Sequence, residues 1–291
     1  MDRHTCANQA IWDAWSASND ADSDHARDEA LVRAGGSSLR GIELAELGGE
    51  VAGTSLLHLL CNRGSDTLSW ARLGATVTGV DFSTAAIARA RALAAETGLP
   101  ARFLQSDLFA LPAILEETFD IVYASYGVLC WLPDLTRWAA ITARYLRPGG
   151  LCYLVEMHPT SGLLAADVPS PAGLRLRPHA PYFHTPAPHV ERVPLAHPDE
   201  NPGKNGNADR PPSTESSGKN GNTASLSTWP YSLGEVITAL AQAGLRLESL
   251  CEHPATFYRQ FPMLIEGSDG LWRWPDPAIT LPLLFSLRAR K

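Results

Sequence analysis

The chain has 291 residues, 45% of them hydrophobic and 19% charged, with a net charge of −7. That suits one folded domain plus a lid, and the acidic balance argues against a nucleic-acid backbone as partner, which would favour a basic face. No apolar run reaches membrane-spanning length, and the N-terminus, MDRHTCANQAIWDAW, carries acids without an apolar segment, so neither a membrane partner nor a secretory signal is expected.

Residues 1–50 read as a polar, helical cap, in which Ile11, Trp12 and Trp15 recur at i, i+1 and i+4. That apolar face either packs on the domain or lids a site. Trp15 is a substrate-contact candidate on the second reading. From Thr54 strands and helices alternate. TSLLHLL is a short buried strand, DTLSWARLG a helix ending at Gly74, and ATVTGVD a β-branched strand ending on Asp81. STAAIARARALAAETG is a helix capped by Ser83 and closed by Gly98. ARFLQSD and FDIVYASYG are the next strands, DLTRWAAITARYLRPGG a helix stopped by Pro148, and LCYLVEMHP a fifth strand. This alternation predicts right-handed crossovers and a parallel sheet covered on both faces.

The pattern breaks at 159–230, which is rich in Pro, Gly, Ser and Asn and holds GKNGN twice. Residues 199–226 read as a flexible surface loop, while 159–198 has enough apolar content for short strands over a pocket. A helix, SLGEVITALAQAG, and two strands, LRLESLCEH and LPLLFSLRARK, then complete the sheet with an antiparallel edge. The expected division is a cap at 1–50, a core at 51–158, an inserted lid and loop at 159–230, and the rest of the core at 231–291. Five cysteines, Cys6, Cys61, Cys130, Cys152 and Cys251, make an odd set without a C-x-x-C pair. Four lie in apolar segments, so buried free thiols and a reducing, cytoplasmic compartment are expected.

In an open α/β sheet, ligands bind beyond the carboxyl ends of the strands. Four such ends are polar here: Cys61-Asn62-Arg63-Gly64, Asp81, Asp107 and Ser125-Tyr126-Gly127. An acid ending the second strand can accept hydrogen bonds from both hydroxyls of a ribose, and one ending the third can face an adenine amino group.

These segments resemble the class I S-adenosylmethionine-dependent methyltransferases. The family's first motif, an acid and then three alternating glycines, falls on HLLCNRG with His58 at the acid and Leu60, Asn62 and Gly64 at the glycines. Only Gly64 is kept. GATVTGVDFS resembles the second motif, QSDL the third, FDIVYASYGVLCWLPD the fourth strand and its turn, and LRPGG the entry to the fifth. A bacterial small-molecule branch reading CNxGxDTLxxARxGAxVTGVDxS is similar. The resemblance implies a doubly wound, Rossmann-like, seven-stranded and mostly parallel sheet with a C-terminal antiparallel strand, N-terminal helices and an inserted lid. It implies S-adenosyl-L-methionine as cofactor, with Cys61, Asn62, Gly64, Asp66, Thr67, Asp81, Phe82, Ser83, Asp107, Leu108, Ser125 and Tyr126 around it.

The departures are physically tolerable. After Gly, Asn best accepts a left-handed backbone, and the Asn62 amide is positioned to meet the cofactor's amino-acid end. His58 is expected to be hydrogen-bonded and partly buried. Methyl transfer from a sulfonium mainly requires alignment, with a base only where the nucleophile holds a proton. His158, just past the fifth strand, is the base candidate; its alternative is a strand-end histidine bonded to Glu156 or to backbone. Tyr126 either orients the substrate or walls the cofactor pocket. Tyr182 and His184 are placed to line a substrate cavity, and Arg259 to hold a substrate carboxylate. His179, His184 and His189 recur every five residues but lack carboxylate or cysteine partners at ligand spacing, so no metal is expected. The turn SYGVLCW lacks the Asn/Asp-Pro-Pro-aromatic signature of amino-methylating enzymes that act on nucleobases or glutamine.

The sequence therefore predicts methyl transfer to a small molecule such as a secondary metabolite, by a monomer or homodimer. A non-catalytic S-adenosylmethionine-binding sensor or scaffold is the alternative. A nicotinamide oxidoreductase is disfavoured, because CNRGSD lacks the G-x-G-x-x-G spacing.

Overall fold

The structure is a computed structural model that describes residues 1–18, 23–166, 176–178, 180–195, 223–278 and 280–291. Its centre is a seven-stranded sheet. The strands are β1 (Ser55–Leu59), β2 (Thr76–Asp81), β3 (Ala101–Gln105), β4 (Phe119–Ser125) and β5 (Leu146–Met157), followed later in the chain by β10 (Arg246–His253) and β14 (Leu284–Arg290). The order is β10-β14-β5-β4-β1-β2-β3. β3, β2, β1, β4 and β5 pair in parallel, and β14 runs antiparallel between β5 and β10. The antiparallel strand thus lies one position in from the edge.

Strand alternation sets the two faces. On one, Leu57, Leu59, Val122 and Leu154 pack with Trp138 of α6 (Leu135–Tyr145) and Val236 of α8 (Leu233–Gln242). On the other, Leu56, Val77, Tyr123 and Tyr153 meet Trp70 of α4 (Ser65–Arg72) and Leu47 behind α3 (Gly41–Glu46). α5 (Thr84–Thr97) starts at Ser83, whose hydroxyl accepts from the Ala86 N–H, and ends at left-handed Gly98. Each helix of the sequence reading is present, but α6 ends at Tyr145 rather than at Pro148, and residues 146–150, expected to close it, already belong to β5, since the residue before a proline is driven to extended backbone.

The cap consists of α1 (Arg3–Ala17), α2 (Asp24–Arg33) and α3. α1 lies across the end of β2: Gln9 Nε2 donates to the Phe82 carbonyl at 2.6 Å, and Asp13 accepts from Ser83 Oγ at 2.7 Å. Its other side is stitched to the insertion, where Asn8 exchanges two hydrogen bonds with the Ser227 backbone at 2.7 and 2.9 Å.

The insertion begins with α7 (Pro159–Leu163). β6 (Leu164–Ala166) then pairs with β7 (Leu176–Pro178), and β8 (His189–Pro194) with β9 (Thr223–Thr228). Residues 199–222 of the expected loop lie outside the described residues. Residues 223–226 are not loop but the first four of β9, because Leu226 buries itself against Ile11 and Trp15 of α1. Short strands β11 (Ala255–Thr256), β12 (Ile265–Glu266) and β13 (Trp272–Arg273) form a further small sheet. All five cysteines are free. Cys61 and Cys152 are buried and Cys130 partly so, but Cys251, expected inside, is exposed on edge strand β10.

Gly64 closes the turn from β1 into α4 at φ +77°, and a Cβ there would lie 2.8 Å from both Ala90 and the Phe103 ring. We expect Gly64→Ala to destabilise the fold by roughly 1–3 kcal/mol, from left-handed strain and overpacking together, measured by denaturant unfolding. Glu43 of α3 is fully buried and accepts from the Tyr123 and Tyr126 hydroxyls at 2.7 and 2.6 Å and from the Arg40 N–H at 2.9 Å. Burial pushes its carboxyl up to about 7, and that of Asp28 likewise to about 7 despite the Arg40 guanidinium beside it. Both groups therefore bind protons more tightly folded than unfolded. Their sign makes stability fall as pH rises from about 4 to about 7, with no further loss above. Unfolding free energies across that range should show the decline, and Glu43→Gln should make it shallower.

Candidate functional site

The loop after β1 answers the question raised by its missing glycines. Leu60, Asn62 and Gly64 all adopt positive φ, at 57°, 47° and 77°. The alternating left-handed turn is thus built with two side-chain-bearing residues where glycine is easiest. Asn62 was expected to do this. Leu60 was not, since its Cβ makes the conformation strained by about 1–2 kcal/mol. The turn is held from outside: the Asn62 N–H donates to Asp81 Oδ2 at 2.9 Å, the Cys61 N–H to the Val80 carbonyl at 2.9 Å, and the Gly64 N–H to the Cys61 carbonyl at 2.9 Å.

Asp81 ends β2 with a buried carboxylate whose other oxygen accepts from the Ser83 N–H at 2.8 Å. Burial pushes it up to about 6, against the pull of those two N–H groups. Beside it, Asn62 Oδ1 is buried without a hydrogen-bond partner, while Asn62 Nδ2 lies 3.4 Å from His25 Nε2 on α2. An orphaned acceptor beside a strand-end carboxylate fits a ligand rich in hydroxyl and ammonium donors, which is what S-adenosylmethionine offers there.

His58, at the motif's acid position, is buried, with Nδ1 2.8 Å from Thr67 Oγ1 and Nε2 3.4 Å from Ser125 Oγ. Burial lowers it to about 4, so it is neutral at pH 7. The acid here is instead Asp66, in the first turn of α4, where Ser38 Oγ donates to it at 2.5 Å and Ser125 Oγ at 3.4 Å. Phe82 presents its carbonyl to Gln9 and Gln105. Asp107 caps the 3₁₀ turn Leu108–Ala113 with both hydrogen bonds on Oδ1, and Leu108 is buried beside it.

At the end of β4, Tyr126 also has positive φ, 48°. Its N–H donates to the Val155 carbonyl at 2.8 Å, its hydroxyl to Glu43, and its ring lies 4.7 Å from Phe257. The following turn is pinned by Glu156. This carboxylate accepts from the N–H groups of Gly127, of Val128 at 2.7 Å and of Leu129 at 2.9 Å. Sequence reasoning missed Glu43 and Asp13 and gave Glu156 no role beyond a partner for His158. A lone acid inside the apolar run LCYLVEMHP was the available signal.

Past this turn lies a cavity of about 370 Å³, between the ends of β4 and β5 and the insertion. His158 and Tyr182 line it, as do Trp229, Tyr231 and Tyr258, whereas Trp15, His184 and Arg259 do not. Trp15 packs with Ile11 and Leu226, and its indole N–H donates to the Pro194 carbonyl at 3.2 Å. His184 stacks behind Tyr231 at 4.7 Å, and Arg259 reaches the Pro262 carbonyl and the Trp272 ring. His158 caps α7: its Nδ1 accepts from the Thr160 N–H at 3.1 Å, and Nε2 lies 2.8 Å from Glu252 Oε1. Glu252, not Glu156, is its partner, and burial outweighs that carboxylate to hold the imidazole below its ordinary value. Nδ1 is thus engaged, while Nε2 lies close to Glu252 without an aligned hydrogen bond. Among the described residues no cluster of three His, Cys, Asp or Glu side chains could hold a metal, and no helix is long and apolar enough to cross a membrane.

Comparison with known proteins agrees with this geometry. Residues 57–154 match a family described as a methyltransferase domain. A ubiquinone biosynthesis O-methyltransferase of Pseudomonas entomophila is 31% identical over 117 residues, 40% of this chain and 50% of that protein. An uncharacterized protein of Mycobacterium bovis is 33% identical over 98 residues, 34% of this chain and 35% of the relative. The chain thus spans half or less of the length of these curated relatives. Among solved structures, an S-adenosylmethionine-dependent methyltransferase of Mesorhizobium loti superposes with a TM-score of 0.54 at 18% identity, over 83% of this chain and 93% of that one. A glycopeptide N-methyltransferase complexed with S-adenosyl-L-methionine gives 0.50 at 17% identity, over 85% and 91%. The fold is shared with both. Residues 57–154 thus match a methyltransferase domain, and the strand order and left-handed loop of that same segment sit in a fold shared with S-adenosylmethionine-dependent methyltransferases.

Proposed function

We propose that the protein transfers a methyl group from S-adenosylmethionine to a small-molecule acceptor. The observation that carries this reading is the run of three left-handed residues at 60, 62 and 64, closed by the buried Asp81 carboxylate. Asp81 is the group to receive the ribose hydroxyls, with Phe82 and Leu108 flanking the adenine. Asp107, which caps through one oxygen only, has the other for the exocyclic amino group. Asn62 Oδ1 and the acids beside it, Asp66 foremost, suit the amino-acid end. The bound cofactor supplies an electrophilic methyl on a sulfonium.

The protein's part is then alignment. Glu156 fixes the turn 127–129 by accepting its N–H groups, and Glu43 fixes Tyr126 through its hydroxyl. That turn forms a wall of the open-mouthed cavity, so an acceptor held there faces the strand ends proposed to hold the cofactor. His158 lines this cavity and caps α7 through Nδ1. A cavity of about 370 Å³ supports a small molecule as acceptor. The free thiols fit a reducing cytoplasm, and the protein is proposed to act as a monomer or homodimer.

Titration calorimetry with S-adenosylmethionine, S-adenosylhomocysteine and NAD tests the reading; binding of NAD alone would sink it. Asp81→Ala should weaken S-adenosylmethionine binding by roughly 1.5–3 kcal/mol, the scale of hydrogen bonds to a charged group. Unchanged affinity would remove Asp81 from the ribose role.

A further inference from the structure

The loop after β1 buries a full charge. Arg63 lies between left-handed Asn62 and Gly64, with only 3% of its surface exposed, and its side chain reaches the N-terminal cap. Nη2 donates to the Trp15 carbonyl at 2.8 Å, and Nη1 lies 3.6 Å from Oε1 of Glu29, itself buried on α2. Trp15 is in the last turn of α1, where carbonyls have no partner further along the helix. A cation placed there caps the helix and meets the negative end of its dipole. The residue before Arg63 makes a similar connection, since Asn62 Nδ2 lies 3.4 Å from His25 Nε2 on α2. From α5, Arg89 donates to the Ser18 carbonyl at 2.7 Å and approaches Glu29 at 3.7 Å.

Stability alone does not call for this arrangement. A buried ion pair gains little beyond its desolvation cost, and apolar side chains of similar volume often hold a fold as well. What a guanidinium adds is direction. Its planar fork, bonded through one nitrogen and paired through another, fixes the orientation of the backbone that carries it. That backbone is strained. Residues 60, 62 and 64 all hold positive φ, and such a conformation persists only where its surroundings over-determine it. The Asp81 carboxylate grips the turn from the sheet side, through the Asn62 N–H. Arg63 grips it from the cap side, one residue further along.

Resting on the methyltransferase reading, in which this loop meets the amino-acid end of the cofactor, we propose that Arg63 is a positioning residue for that end. By tying the loop to the C-terminus of α1 and to Glu29, it sets the direction of the Asn62 side chain and of the N–H groups around it. The adenosine end, received by Asp81 and the end of β3, is held independently of this tether.

Methylthioadenosine carries the adenosine and the sulfur of the cofactor without its amino-acid end, so it separates the two. It and S-adenosylhomocysteine are each titrated calorimetrically into the full chain. Arg63→Met should weaken S-adenosylhomocysteine binding at least tenfold and methylthioadenosine binding less than twofold; a general loss of structure would weaken both alike. Arg63→Lys keeps the cation but loses the fork, and serves where the Met variant does not fold. It should weaken S-adenosylhomocysteine at least threefold with the same selectivity. Arg33 also approaches Glu29, at 3.3 Å, without touching the loop. Arg33→Met removes an equal charge from that carboxylate and should leave both affinities within twofold. Equal losses for the two ligands, no loss for S-adenosylhomocysteine in a folded variant, or the same selective loss in Arg33→Met would each overturn the proposal. Failure of the unsubstituted chain to bind either ligand would overturn the methyltransferase reading instead. Hydrogen exchange without ligand would then decide the tether: Arg63→Met should quicken exchange of the Asn62 amide at least tenfold while the amides of β4 keep their rates, and an unchanged Asn62 rate would overturn it.

Discussion

The hydrogen bond from the Asn62 N–H to the Asp81 carboxylate joins the two strand ends on which the site depends. β1 has to reverse sharply into α4 without a side chain blocking the space above β1 and β2. Three left-handed residues accomplish this, and two of them carry side chains that resist the conformation. Such a backbone persists only where its surroundings over-determine it. Here Asp81 accepts from the middle of the turn, Val80 accepts from the Cys61 N–H, and Gly64 seats α4 against Ala90 and Phe103. The carboxylate that holds the turn is also the one proposed for the ribose hydroxyls. The loop and the strand-two acid therefore form one unit.

A second constraint is where negative charge is stored. A neutral imidazole fills the strand-end position at His58, and the acids come from helices instead: Asp66 on α4 beside it, with Asp28 on α2 and Glu43 on α3 close enough to Asp66 to feel its field. Desolvation raises the proton affinity of Asp28 and Glu43 to near neutrality, so burying them together is unfavourable unless donors are close. Two tyrosine hydroxyls, a serine and an arginine provide those donors. This explains why the N-terminal cap is fastened to the sheet by polar contacts rather than by an apolar face alone.

Much of this was legible in the sequence. The sheet, its helices and Asp81, Asp107 and Gly64 followed from periodicity, caps and strand-end chemistry, which are local signals. What was not legible depends on contacts between distant segments. β9 exists because Leu226 meets Ile11 and Trp15, more than two hundred residues away in the chain. Glu43 matters because two tyrosines of β4 and its following turn reach it, and nothing in GIELAE announces that. His158 looked free to act as a base, but its engagement follows from Thr160 at the start of α7 and from Glu252 on β10. Arg259 and Trp15 are side chains of the right type whose neighbours turn them away from the cavity. Leu60 was the residue that propensity rules read most wrongly, because the turn's partners override its own preference.

α1 touches both covers of the molecule. On one side Gln9 and Asp13 grip the backbone at 82 and the head of α5; on the other, Asn8 and His4 grip Ser227 in the insertion. From the loop, Arg63 also donates to the Trp15 carbonyl at 2.8 Å. A helix clamped in this way ties the β2 end of the sheet to the insertion, so a displacement at either one bears on the same fifteen residues of α1.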